Sequence, residues 1–137
     1  MSSSESSIEI LRRTPSSGAI AKQDSLTATF GPSPWVVVSP HDDDIVLGMG
    51  LLIRAARNEG IEVHALIVSD GSMGYVDPKE RDSIVALRQQ ELESSLSLLG
   101  IATETTHWLG LPDGGLVHHE GCNRDGSGLG QQLTAIL

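Results

Sequence analysis

The chain has 137 residues, a length that suits one domain of the common size of about 100–200 residues. Eighteen acidic residues against nine basic ones give a formal charge of −9, which argues against a nucleic-acid footprint or an anionic-membrane binder, both of which need clustered Lys and Arg. Aromatic residues make up only 3%, so any core must be aliphatic.

Residues 1–33 are rich in Ser, with one brief apolar run at Ile8–Leu11, and read as a flexible leader or a peripheral strand. Arg12-Arg13 lacks the apolar segment that must follow them in a twin-arginine export signal. The dipeptides of Gly31–Pro34 punctuate the end of the leader, and residues 34–137 read as the N-terminal part of an α/β domain. Trp35–Ser39 is a short, continuously apolar run of the kind expected of a strand buried on both faces. Asp44 can cap a following helix through Ile45, Leu47, Leu51, Leu52, Ala55 and Ala56, with Gly60 where a left-handed C-terminal residue is expected. Ile45–Ile53 is the longest apolar stretch, contains two glycines and is far too short to span a bilayer.

Ile61–Ser69 predicts a second strand, and Pro78 marks the approach to a helix over about residues 79–99. Its stripe is Ile84, Leu87, Leu92, Leu96 and Leu99, and it closes at Gly100. Thr105–Leu109 predicts a third strand. A polar, turn-rich segment with His118, His119 and Cys122 follows, and Leu129–Leu137 reads as the start of another helix. Cys122 is the single cysteine, which excludes an intrachain disulfide and favours a reducing compartment, the cytoplasm. Alternating strands and helices predict a three-layer, Rossmann-like parallel sheet with right-handed crossovers, incomplete on its C-terminal side. Such sheets bind ligands outside the carboxyl ends of their strands. Three polar clusters, SPHDDD, SDGS and LPDGG, each begin where a predicted strand ends, so they converge on one rim.

The first cluster carries metal chemistry. A histidine with an aspartate three positions on, at a tight strand-to-helix turn, can place an imidazole nitrogen and a carboxylate oxygen on one ion. A neighbouring carboxylate can then accept and return a proton. Capping and turn roles for the aspartates are the plainer alternative. Asp42, Asp44 and Ser69 also resemble the opening motifs of haloacid-dehalogenase-like phosphatases, in which Asp42 would be the nucleophile, Asp44 the acid/base and magnesium the ion. A dinucleotide site is a weaker reading still, because Gly48 and Gly50 lack a third glycine and fall inside the helix, where they suit close helix–sheet packing.

SPHDDDIVLGMG resembles the opening motif of the PIG-L/LmbE-like de-N-acetylases. Ser69–Gly71, the R-x-x-E of Arg88 and Glu91 in a helix ending in LG, and LGLPDGG at Leu109–Gly115 are similar to that family's later motifs, in order. The resemblance covers about residues 35–116. It implies a hydrolase that uses zinc to remove the acetyl group of an N-acetylglucosamine-type sugar or glycoconjugate. Carried over by position, His41 and Asp44 would bind zinc, Asp43 would be the general base, and Arg88 and Asp113 would line the substrate side. Asp42 stands where the commonest motif has proline, and Ile45 where many members have Glu. The family's third zinc ligand, a histidine of a later H-x-D-H-type segment, has no counterpart before Leu137. The chain is therefore expected to be truncated, or to be a catalytically incomplete sugar-binding or oligomerising remnant, unless another residue substitutes. His118 and His119 read as exposed loop residues, and His64 and His107 as packed or surface strand residues. Assembly as a homo-oligomer is compatible with the sequence.

Overall fold

A computed structural model of the chain describes residues 8–119. Strands β1 (Ile10–Arg13) and β2 (Ile20–Gln23) form an antiparallel hairpin. The short helix α1 (Leu26–Phe30) follows, with Ser25 Oγ accepting from the Ala28 N–H at 2.9 Å. The stretch expected as a flexible leader or a peripheral strand thus carries a hairpin and a helical turn. Leu26 is fully buried, and the Leu26 and Thr27 N–H groups donate to the Glu59 carboxylate at 2.8 and 2.9 Å. Burial works against ionisation of Glu59, but these donors outweigh it and hold its carboxyl below the ordinary value.

The remaining strands, β3 (Trp35–Ser39), β4 (Val63–Ser69) and β5 (Thr106–Leu111), pair in parallel and in chain order. Helix α2 (Asp44–Asn58) links the first two, and α3 (Ile84–Leu99) links the last two. Parallel neighbours need such crossovers, because a tight turn cannot reverse the chain twice. All three described α-helices pack on one face of the sheet. One buried cluster joins Leu26, Ile45, Ile53, Ala56, Leu92 and Leu96 to Val37, Ala65 and Ile67. The described residues therefore supply two of the three expected layers, and Val38, on the opposite face, is 58% exposed.

One boundary differs from the sequence reading for an identifiable reason. Asp77 Oδ1 accepts from the Lys79 N–H at 3.0 Å and sets up a separate 3₁₀ turn at Pro78–Glu80, so α3 begins only at Ile84. Its buried stripe is Ile84, Leu92 and Leu96, while Leu87 is 44% exposed. Arg88 occupies the position between Ile84 and Leu92 on that stripe, since residues four apart share a helix face. Both long helices end as expected, with Gly60 at φ +79° and Gly100 at φ +83°. In β5, Trp108 pairs with Ile67 but Leu111 pairs with Ser69, so β5 holds one extra residue there. Gly110, at φ +63°, makes that bulge affordable.

Candidate active site at the carboxyl rim

The three polar clusters meet where the strands end. After β3 the chain turns sharply. The Ser39 hydroxyl donates to the His41 carbonyl at 2.6 Å, and the Ser69 N–H donates to the Pro40 carbonyl at 2.9 Å. Asp43, not Asp44, is the N-cap residue of α2, and its side chain makes no capping bond. Asp44 lies in the first turn, where a negative charge favours the positive end of the helix dipole. The expected cap is thus displaced by one residue, and neither carboxylate is spent on capping.

His41 sits between two carboxylates. Its Nδ1 lies 3.2 Å from Asp44 Oδ2 and its Nε2 lies 3.1 Å from Asp113 Oδ1. The hydrogen bond to Asp44 is the main reason its pKa is raised; partial burial opposes that, and the Asp113 charge adds to it. Asp113 itself is placed by Asp70, a buried residue of the second cluster. Asp70 Oδ1 accepts from the backbone N–H groups of Ser72 and Asp113, each at 3.0 Å. Sequence reasoning quoted Asp70 only as part of a motif, and the buried acid at the exit of a parallel strand was the signal to weigh. Asp70→Ala strands two inward N–H groups and is expected to destabilise the fold by about 1–3 kcal/mol. Urea denaturation checks this, and Asp70→Asn, which keeps an acceptor oxygen, should lose less.

The remaining acids face a different cation. Asp42 is only 5% exposed and forms an ion pair with Arg88 Nε, close but not aligned as a hydrogen bond. Asp43 Oδ2 lies 3.4 Å from Arg88 Nη2, and Glu91 Oε2 lies 3.9 Å from Nη1. Asp42, the close partner of Nε, and then Asp43 raise the Arg88 pKa further, against the opposing effect of burial. The extra charge of Asp42 is thus answered from within the fold. A groove of about 190 Å³ opens beside this cluster, between Asp43, Val46, Leu47, Arg88, Glu91 and Ser95. Asp42 also lines this groove, but its carboxylate is buried and committed to Arg88, an ion pair that a phosphatase nucleophile would have to give up.

A tetrahedral ion with donors at about 2.1 Å separates two ligand atoms by about 3.4 Å. His41 Nδ1 and Asp44 Oδ2, 3.2 Å apart, fit two such corners. With the Nε2 proton directed to Asp113, loss of the Nδ1 proton shared with Asp44 would free the Nδ1 lone pair for that position, and a carboxylate behind a ligating histidine fixes its tautomer and ring orientation. Asp113 cannot share the same ion, because the ring lies between them. Among the described residues no group of three His, Cys, Asp or Glu donors gathers around one point.

The other histidines lie elsewhere. His64 and His107 are near the starts of β4 and β5, with parallel rings whose nitrogens approach to 3.3 Å while the centroids stay 5.6 Å apart. They meet edge to edge as a hydrogen-bonded pair, and Glu62 takes the far nitrogen of His64 at 3.1 Å. Burial, and then the neighbouring His64, keep His107 below the ordinary imidazole value. His118 is exposed in a 3₁₀ turn at Leu116–His119. Cys122 and the helix expected at Leu129–Leu137 lie outside the described residues.

Residues 36–136 match the family described as PIG-L, GlcNAc-PI de-N-acetylase. The chain belongs to this de-N-acetylase family. A diacetylchitobiose deacetylase of Thermococcus kodakarensis is 38% identical over 65 residues, covering 47% of this chain and 24% of that protein. The solved structure of N,N'-diacetylchitobiose deacetylase from Pyrococcus horikoshii, complexed with its inhibitor MPG, superposes with a TM-score of 0.55 at 34% identity. That superposition covers 60% of this chain and 30% of the archaeal one. The chain therefore spans well under half the length of the de-N-acetylase relatives it matches. Among the described residues no helix is long and apolar enough to cross a membrane.

Proposed function

We propose that this chain carries the first half of the active site of a zinc-dependent de-N-acetylase acting on an N-acetylglucosamine-type sugar or glycoconjugate. The observation that carries the reading is His41, gripped between Asp44 and Asp113 with Asp43 two residues along, at the carboxyl rim of a parallel sheet. Family membership and two relatives named as diacetylchitobiose deacetylases support the substrate class.

His41 and Asp44 would hold zinc with further donors from outside the described residues. Zinc bound there would polarise the amide carbonyl and acidify water near neutral pH. Asp43, 53% exposed at the groove, takes a proton from the attacking water. It then returns that proton to the departing nitrogen, so that amide and water become acetate and a free amine. Asp113 holds the His41 ring in place from behind. Val46 and Leu47 give the groove an apolar wall, while Asp43 and Glu91 supply acceptors for sugar hydroxyl groups.

Elemental analysis of the full-length protein, followed by acetate release from N-acetylglucosamine, diacetylchitobiose and larger acetylated glycoconjugates, tests the proposal. Bound zinc with acetate release supports it. Sugar binding without metal or acetate would instead indicate a remnant, and magnesium-dependent phosphate release a phosphatase.

A further inference from the structure

Arg88 is the charged residue on the buried stripe of α3, between Ile84 and Leu92. A guanidinium on a core-facing helix position is tolerated only with counter-charges that replace its lost hydration. The first loop supplies two. Asp42 is the inner one, buried and paired through Nε; Asp43 is the outer one, half exposed and reached by Nη2 at 3.4 Å. Gly71 of the second loop closes over the pair. A Cβ there would lie 3.5 Å from Asp42 Oδ1 and 3.7 Å from Arg88 Cβ, and its φ of +68° suits glycine. The planar fork of an arginine allows it to serve both acids at once. A proline at position 42 would offer no such anchor.

Building on the deacetylase reading above, we propose that Asp42 is a positioning residue. It fixes the Arg88 guanidinium so that one edge orients the Asp43 carboxylate, a task Arg88 performs beside its place in the groove lining. The acid pair and the arginine form one device: Asp42 locks the arginine, and the arginine aims Asp43 at the groove.

The test compares Asp42→Ala, Asp42→Asn, Arg88→Lys and the Asp42→Ala/Arg88→Lys double variant in the full-length protein. The Asn and Lys variants keep side-chain shape or charge and guard against simple misfolding. Each single variant is expected to lower kcat for acetate release by about tenfold, with KM within about twofold, because small misplacements of a catalytic group are costly. The double variant should be no worse than the poorer single one, as for residues acting as a unit. A raised KM with kcat intact, or single effects that multiply, would overturn the proposal. A second arm needs no turnover: in metal-free protein, the carbon NMR signal of the Asp43 carboxyl should shift in Asp42→Asn and Arg88→Lys alike. An unmoved signal overturns the clamp. If the wild type releases no acetate yet that signal moves, the deacetylase reading fails while the clamp stands.

Discussion

Asp43→Asn is expected to lower acetate release by the full-length protein by about 100- to 10,000-fold, the usual worth of a positioned general base, while leaving its zinc content unchanged. The residue is suited to that outcome. Asp43 makes no capping bond at the start of α2, so its loss does not unravel the helix. It is 53% exposed on the groove side, where a substrate can reach it. Asparagine keeps the shape and one acceptor oxygen but cannot take up a proton, so the substitution separates proton transfer from architecture. Metal analysis beside steady-state kinetics decides the matter: turnover within a few-fold of wild type would remove Asp43 from its role, and lost zinc would make it a ligand.

His41→Ala is the second large effect. Zinc occupancy should fall to background and acetate release should disappear with it, because the imidazole supplies one of two described donors and carries the contact to Asp113. The metal-free fold should survive. The His41 side chain is 47% exposed, and the backbone bonds Ser39 Oγ to His41 O and Ser69 N to Pro40 O do not involve the ring. Elemental analysis and thermal denaturation of chelated wild type and variant check both halves. Full zinc in the variant would refute the ligand assignment, and a metal-free melting point far below that of chelated wild type would show that the ring is structural.

Much of this arrangement was legible in the residues because two periodicities are hard to mistake. Apolar runs such as Val36–Val38 and Ala65–Val68 fix buried strands, and the intervening helical stripes fix crossovers, which together force polar strand ends onto one rim. Contacts made by single side chains across the fold were not legible. Counting apolar residues put Leu87 on the core face of α3. The true occupant, Arg88, is partly buried because Asp42 and Asp43 compensate it from a loop far upstream, and no local pattern records that. Asp43, not Asp44, takes the N-cap position and neither side chain caps the helix, because Asp44 turns to His41 and Asp43 to Arg88. His64 and His107 became a pair only through the offset register of β4 and β5. The apolar run Ile8–Leu11 left a peripheral strand open, but its hairpin partner Ile20–Gln23 escaped notice because a strand of four residues leaves too short a pattern to read.

The additional residue near Gly110 sets the phase of everything after it. Side chains alternate between the two faces of a strand, so this one insertion brings Leu111 inward beside Ser69 and delivers the following turn to His41. Delete it and the downstream alternation inverts: Leu111 leaves the core and Asp113 swings away from the imidazole, though no functional side chain has been altered. Recombining loops among relatives must therefore preserve the residue count of β5, and a graft junction belongs beyond Gly115, never within the strand.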